Sequence, residues 1–292
     1  MNGGVIRPSS ARRSLRTFFV ALVVGTALVQ GALLSGGRSV DRNPVLVFTL
    51  MWIPALASFV ARAVHGEGIR DVSFRLGGRR GLASTAFAWG LPLLVCAVAY
   101  GVAWGSELEP FGAPHGPSDP LVVAFGKVLF SMATYVLPLG CLSAAGEEIG
   151  WRGFMLTRLI DARVPKPVLV SGLVWAVWHE PLLLSGQLVR GPSPWLVAAM
   201  FVPCVVACAY VSAWLRLRSG SVWPPIVLHA MWNDVADGAF DAFTRASSEP
   251  QGQLWTGSAG IIVALTWAAV ATVMWRRWPL SLPLAPAAAA GA

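Results

Sequence analysis

Residues 145–153 read Ala-Gly-Glu-Glu-Ile-Gly-Trp-Arg-Gly, and the rest of the chain is interpreted from this stretch. Two adjacent carboxylates, Glu147 and Glu148, and the guanidinium of Arg152 stand at the end of an apolar run that begins near Leu121. Charged side chains at membrane depth are costly, so they usually face an interior cavity in which they carry out chemistry or transport. The stretch therefore predicts a polar functional site inside a membrane protein.

The composition excludes an ordinary soluble domain. Of 292 residues, 55% are hydrophobic and 12% are charged, whereas about a quarter of the residues in a soluble domain are charged. The net charge of +8 does not indicate a nucleic-acid partner, because the basic residues form short clusters between apolar runs, as topology signals do. No disulfides are expected, since all four cysteines lie in or beside apolar runs: Cys96, Cys141, Cys204 and Cys208.

The apolar stretches predict an all-α, polytopic membrane helix bundle. Each of eight stretches is long enough to cross about 30 Å of hydrocarbon. The first is too long for the core of a typical signal peptide and lacks an evident cleavage site after it, so an uncleaved anchor is expected. The seventh is the weakest, because it contains His229, Asn233, Asp234 and Asp237. The predicted spans are 17–34, 45–63, 82–104, 121–144, 167–185, 194–214, 221–240 and 257–275.

Loop charges predict the orientation of the bundle. With a cytoplasmic N-terminus, the inside segments hold seventeen basic residues and the outside segments four. This positive-inside bias predicts that both termini are cytoplasmic. The organisation is then a basic tail over 1–16, a transmembrane domain over 17–275 and a flexible Pro/Ala-rich tail over 276–292. The near absence of lysine hints at a GC-rich bacterial genome, so a multi-pass protein of the bacterial inner (plasma) membrane is expected.

The paired carboxylates can have different roles. Neighbouring residues on a helix point about 100° apart, so one can line a cavity while the other contacts another element. Glu148 and Arg152 are four residues apart and can pair along the helix. Glu147 is then the freer carboxylate and is suited to general-base chemistry. The alternative is a polar cap at the cytoplasmic end of the fourth span.

Two histidines on later spans extend this site. His179 lies among tryptophans in the fifth span, and His229 and Asn233, four residues apart, share one face of the seventh. Each alone is compatible with packing or an interhelical hydrogen bond. Measured along the helices from the cytoplasmic side, however, Glu147 lies about 16 Å deep, His179 about 18 Å and His229 about 12 Å. Similar depth favours one shared site.

In this order on successive spans, the three motifs resemble those of the CPBP family of intramembrane proteases. The motifs are Glu147-Glu148-x-x-x-Arg152, Trp175-x-x-x-His179 and His229-x-x-x-Asn233. The family includes the CAAX prenyl endopeptidases and the bacteriocin-immunity and lysostaphin-resistance-like proteins. The resemblance covers about residues 121–243, the expected catalytic core, and implies an intramembrane endopeptidase.

The resemblance also implies a role for each motif residue. Glu147 would activate water with help from His179, while His229 and Asn233 would bind a metal or stabilise the oxyanion. Glu148 and Arg152 would hold the geometry of the first motif. Trp175 stands where the family often has phenylalanine, a departure that preserves an aromatic ring.

A metal is one of two open alternatives. There is no His-Glu-x-x-His, so a zincin-type site is excluded. Glu147, His179 and His229 could still hold one zinc ion with an open position, and a metal-free, glutamate-activated water fits the same residues. No organic cofactor is expected. The roles of three further acids, which most simply form local hydrogen bonds, are open: Glu180, Asp234 and Asp237.

The function expected first is hydrolysis of peptide or protein substrates in or near the membrane, including CAAX-like ones, at a site opening toward the cytoplasmic half. A bacteriocin-immunity-type or scaffold protein that binds a partner without catalysis is the main alternative. A proton- or cation-coupled transporter is a third possibility, disfavoured because the chain has no internal repeat.

Overall fold

The computed structural model describes residues 7–35, 40, 43–112, 119–189, 192–245 and 254–280. Within these ranges the chain forms eight long helices and no strand beyond one isolated bridge, which confirms the all-α prediction. Helix α7 begins as Trp223–Trp232 and continues as a π-helix over Asn233–Phe240. The other helices are α1 Pro8–Ser35, α2 Pro44–His65, α3 Gly78–Gly105, α4 Leu121–Asp161, α5 Pro167–Leu184, α6 Pro194–Ser219 and α8 Ile261–Arg277.

Six of these helices, α1 to α6, are long and apolar enough to cross a membrane, so the chain is a multi-pass membrane protein. The two remaining predicted spans correspond to α7 and α8. The regular α-helical part of α7 has 10 residues and α8 has 17, so both are shorter than the others. The orientation in the membrane stays a prediction. Residues 1–6 and 281–292 of the two predicted tails lie outside the described ranges.

Several helices begin and end where local sequence predicts. Pro44, Pro167 and Pro194 occupy first positions of helices, where a missing backbone N–H costs nothing. Gly66 and Gly220 follow α2 and α6 with φ of 64° and 62°, the left-handed conformation that glycine adopts without strain.

Helix α4 is longer than predicted. It runs for 41 residues to Asp161 instead of ending at 144, so the two glutamates lie inside a continuous helix and do not cap its end. Gly146 and Gly150 flank them and allow close contact with α2. A Cβ at Gly146 would lie 2.6 Å from the backbone oxygen of Met51, and one at Gly150 would lie 2.4 Å from Cβ of Pro54. Small residues spaced by four let helix backbones approach in this way.

The bundle has two chemically different ends. We call the end where α1 begins and where α2, α4 and α6 finish the arginine-rich end, because the basic residues of the described chain concentrate there. The other end is called the opposite end.

The four cysteines are unpaired, and Cys204 and Cys208 are buried on α6.

Candidate active site

Glu147 is buried and held by two indole groups. Its Oε2 atom accepts hydrogen bonds from Nε1 of Trp151, at 3.0 Å, and from Nε1 of Trp175, at 2.7 Å. Trp151 is on the same helix, whereas Trp175 reaches over from α5. These donors orient the carboxylate. The tryptophan at 175 therefore supplies a hydrogen bond that a phenylalanine could not.

Glu148 faces away from Glu147 and links α4 to α7. Its Oε1 atom accepts from Nη1 of Arg152, at 2.7 Å, and contacts Nδ1 of His229 at 3.0 Å. All three side chains are buried. The predicted pair along the helix is present, and the Arg152 guanidinium also lies 4.2 Å from the centre of the Trp175 ring, a cation–π distance.

Hydrogen bonding fixes which nitrogen of each imidazole is available. Nδ1 of His179 lies 2.9 Å from the backbone oxygen of Trp175, which can only accept, so Nδ1 carries the proton. Nδ1 of His229 likewise donates to the carboxylate of Glu148. In their neutral forms both histidines therefore keep a lone pair on Nε2. The His179 ring is fixed by Trp178 and Phe201, with ring centres at 4.8 Å and 5.1 Å.

One cavity of about 580 Å³ collects the residues that the three motifs predicted. Glu147 interacts electrostatically with both imidazoles across it. Glu148 and Arg152 are not among its lining residues and lie behind the site. The predicted residues that line the cavity are Glu147, Trp175, His179, His229 and Asn233.

The cavity does not extend in the expected direction. From Glu147 it runs toward the opposite end of the bundle, where Val40, Leu188 and Ser258 from the connections between helices line it. The arginine-rich side is filled by large, fully buried side chains, including Trp151 and Arg152. The expectation of a site that opens toward the arginine-rich half, the predicted cytoplasmic half, is therefore wrong for this structure.

Sequence reasoning missed Asp241 and Gln30 among the polar lining groups. Asp241 accepts a hydrogen bond from the Tyr100 hydroxyl, and Asp237 accepts one from Oγ of Ser258 at 3.0 Å. The spacing did hold a signal for Asp241, because four polar residues recur every four positions along one stripe of α7: His229, Asn233, Asp237 and Asp241. Gln30 is an isolated polar residue in α1, and its side chain donates to the backbone oxygen of Trp178 at 2.9 Å.

Glu180 and Asp234 lie outside the described lining of the cavity. Oε1 of Glu180 and Oδ2 of Asp234 are buried without a hydrogen-bond partner. Asp234 faces α4 closely, since a Cβ at Gly140 would lie 2.2 Å from its Oδ2 atom. Neither acid is placed to act on a substrate in the cavity.

Zinc binding by Glu147, His179 and His229 stays a prediction. The donor types suit zinc, and a carboxylate such as Glu148 commonly orients a metal-bound histidine. The arrangement is less suitable, because Oε2 of Glu147 already accepts two indole N–H groups. In the described part of the chain, no three His, Cys, Asp or Glu residues are grouped closely enough to hold a metal ion. The residues present therefore do not form a ready metal site.

Comparison with known families agrees with the motifs. Residues 129–235 match the family model described as Rce1-like, type II CAAX prenyl endopeptidase Rce1-like. Residues 129–235 are thus similar to an Rce1-like domain, and the resemblance to CPBP intramembrane proteases is confirmed. This family suggests an intramembrane protease, a hydrolase, of the CAAX type. No curated protein matches the chain.

Proposed function

We propose that this protein is an intramembrane endopeptidase that hydrolyses peptide bonds with a water activated by Glu147 and His179. One observation carries the proposal: an oriented, buried carboxylate and two imidazoles with available Nε2 atoms surround a single cavity inside a bundle of membrane-spanning helices. Peptide hydrolysis needs a base near the water and donors near the developing oxyanion, and this set can supply both.

Glu147 is the proposed general base. A water hydrogen-bonded to Glu147 and to Nε2 of His179 attacks the scissile carbonyl carbon, and its proton passes to the Glu147 carboxylate as the new C–O bond forms. The same carboxyl group then returns the proton to the leaving nitrogen as the C–N bond breaks. His179 orients the water, because its own ring is fixed by the backbone oxygen of Trp175 and by packing.

Asn233 and His229 are the proposed stabilisers of the oxyanion. The amide of Asn233 can donate directly from the cavity wall. His229 is held at Nδ1 by Glu148, so in its protonated form it can donate Nε2–H to the substrate oxyanion. In its neutral form Nε2 carries a lone pair and cannot donate to that oxygen. Such fixed donors in a water-poor site stabilise developing charge far more than they would in bulk water.

The proposed substrates are apolar segments of membrane-associated peptides or proteins, including CAAX-like ones. Most of the non-catalytic cavity wall is apolar, with Leu50, Leu182 and Phe201 among its residues. A volume of about 580 Å³ can hold a short extended segment together with the attacking water.

The test compares Glu147→Gln with Glu180→Gln in proteoliposomes. The probe is a quenched fluorescent peptide ending in a Cys-aliphatic-aliphatic-X sequence, supplied with and without a farnesyl group. We expect Glu147→Gln to reduce kcat by about 10²–10⁴-fold, the usual contribution of a general base. Glu180→Gln is the matched control, because it neutralises a half-buried acid beside His179 that does not line the cavity. Full activity of Glu147→Gln would refute the proposal.

The metal question has its own measurement. Elemental analysis of the purified wild type and of His179→Ala, each assayed with the same peptides, separates the alternatives. Stoichiometric zinc that is lost together with activity in His179→Ala would make His179 a ligand. Hydrolysis by a wild type without bound metal would support the glutamate-activated water alone.

A further inference from the structure

The arginine-rich end contains an ionic cluster in which three buried arginines contact Asp71, whose side chain is partly exposed. Arg62 of α2 pairs with Asp71 of the short helical turn Arg70–Val72, with Nη1 and Oδ1 2.5 Å apart. Arg158 of α4 pairs with the other oxygen of Asp71 at 2.7 Å and with Glu67 at 2.8 Å. Arg216 of α6 donates to the backbone oxygen of Asp71 at 2.6 Å. We call Arg62, Asp71, Arg158 and Arg216 the arginine clamp.

The clamp contacts the backbone of α4 where that helix is irregular. Residues Trp151–Met155 form a π-helical turn directly after the paired glutamates. Nη2 of Arg62 donates to the backbone oxygen of Gly153, and Nε of Arg216 donates to that of Arg152, both at 3.2 Å. π-Helical turns interrupt the regular hydrogen-bond ladder of a helix and occur often at functional sites. Two guanidinium groups from two other helices thus bind the carbonyl groups of this turn.

Side-chain packing holds the same turn from its other faces. The guanidinium groups of Arg62 and Arg158 lie 5.0 Å and 5.1 Å from the ring centre of Phe154. A Cβ at Gly153 would lie 3.2 Å from Cγ1 of Val72, so the turn packs directly against the segment that carries Asp71. All three arginines are buried, which makes their pairing with acceptors necessary.

We propose that Arg62 and Arg216, braced by Asp71, are positioning residues that set the rotation of α4 and thereby aim Glu147 into the cavity and Glu148 at His229. The kinetic part of this proposal rests on the proposed function above, and the structural part does not. The two glutamates precede the π-helical turn by three to four residues, so a change in its winding rotates both carboxylates.

The bridging geometry requires arginine. Arg62 uses one terminal nitrogen for Asp71 and the other for Gly153, so a single planar group joins the turn at 70–72 to the π-helical turn. A lysine keeps the charge and can pair with Asp71, but its ammonium group is a point charge that lacks the fixed fork of donors. Arg62→Lys therefore preserves the ion pair while loosening the link to α4.

The test measures hydrogen exchange and kinetics on Arg62→Lys, with Asp161→Asn as the matched control. Asp161 pairs with Arg158 at 3.4 Å at the edge of the cluster, and Arg158 is not one of the two guanidinium groups that bind the carbonyl groups of the π-helical turn. We expect backbone amides of residues 147–158 to exchange about tenfold faster in Arg62→Lys, with other helices unchanged. In proteoliposomes, kcat for the quenched Cys-aliphatic-aliphatic-X peptide should fall by up to about 10²-fold at nearly constant KM, because small misplacements of catalytic groups have that effect.

Several outcomes would overturn the proposal. Unchanged exchange over residues 147–158, wild-type kcat despite faster exchange, or equal losses in Asp161→Asn would each do so. If Arg62→Lys does not fold, the same changes are expected in Arg216→Lys, because Arg216 binds the backbone oxygen of Arg152. If neither variant folds, the clamp serves the general stability of the bundle and the proposal is wrong. Glu147→Gln is assayed in parallel: full activity in that variant refutes the proposed function, and hydrogen exchange then still decides whether the clamp sets the rotation of α4.

Discussion

The two ends of this bundle treat buried polar groups in different ways. At the arginine-rich end, Arg62 and Arg158 pair with Asp71 and Glu67, and Arg152 pairs with Glu148. We call these residues the paired layer. Toward the opposite end, Glu147, His179 and their neighbours surround open space. The boundary runs between two adjacent residues, since Glu148 belongs to the paired layer and Glu147 to the cavity. Pairing buried charges supports structure, while a charge held by neutral donors beside a cavity remains available for chemistry.

The largest effect is expected when the paired layer loses a charge. Arg152→Met removes the guanidinium from Glu148 and from the ring of Trp175, leaving a buried carboxylate paired only with His229. Breaking a buried ion pair by removing one partner costs about 3–5 kcal/mol. Denaturant unfolding in detergent should show this loss, whereas Lys127→Met, which breaks an exposed pair with Asp119, should leave stability near wild type. Equal stabilities of the two variants would contradict the comparison.

A second variant tests the close contact that brings α4 to α2. Gly146→Ala places a Cβ within 2.7 Å of backbone and ring atoms of Trp52, so the helices must separate. We expect a loss of about 1–3 kcal/mol, the usual cost of overpacking, and a fall in activity because Glu147 is the next residue. Gly126→Ala on the same helix meets nothing within 4 Å and is the control. A stable, active Gly146→Ala would show that this contact does not position the site.

A third variant tests the hydrogen bond that Trp175, in the cavity wall, donates to Glu147. Trp175→Phe keeps an aromatic ring under Arg152 but removes the N–H group that donates to Glu147. Losing a hydrogen bond to a buried charged group costs about 1.5–3 kcal/mol. The expected result is lower kcat with a smaller change in thermal stability than in Arg152→Met. Wild-type kcat in Trp175→Phe would mean that Trp151 alone orients the carboxylate.

The smallest effect concerns acid stability at the arginine-rich end. Although burial opposes ionisation, Arg62 and Arg158 hold the pKa of Asp71 below its ordinary value of 3.8. A lowered pKa adds stability that is fully present above the unfolded pKa and is lost as pH falls through the folded one. The difference in melting temperature between wild type and Asp71→Asn should therefore be constant above about pH 5 and shrink in stronger acid. If the difference in melting temperature instead narrows between pH 8 and pH 6, the stabilisation comes from the titration of a group other than Asp71.

Sequence alone predicted the six spanning helices and the grouping of the three motifs around one cavity, because long apolar runs and the matching depths of Glu147, His179 and His229 are local signals. It did not predict the extension of α4 or its π-helical turn over Trp151–Met155, since a change in helix winding depends on packing by other helices. The clamp was also missed. Arg62, Asp71 and Arg216 come from three separate segments, and in sequence each resembles an ordinary basic or acidic residue near the end of a span.

The most direct test of the account is a paired measurement on Glu147→Gln and Glu148→Gln, recording peptide hydrolysis and unfolding on the same preparations. Glu147→Gln should unfold near the wild-type denaturant concentration and hydrolyse both peptides about 10²–10⁴-fold more slowly, because the Glu147 carboxylate is held by neutral indoles and acts on water. Glu148→Gln should be strongly destabilised, because the buried Arg152 guanidinium loses its charged partner and Nδ1 of His229 loses its carboxylate acceptor. Equal destabilisation of the two variants, or wild-type hydrolysis by Glu147→Gln, would contradict the division between a paired layer and a reactive cavity.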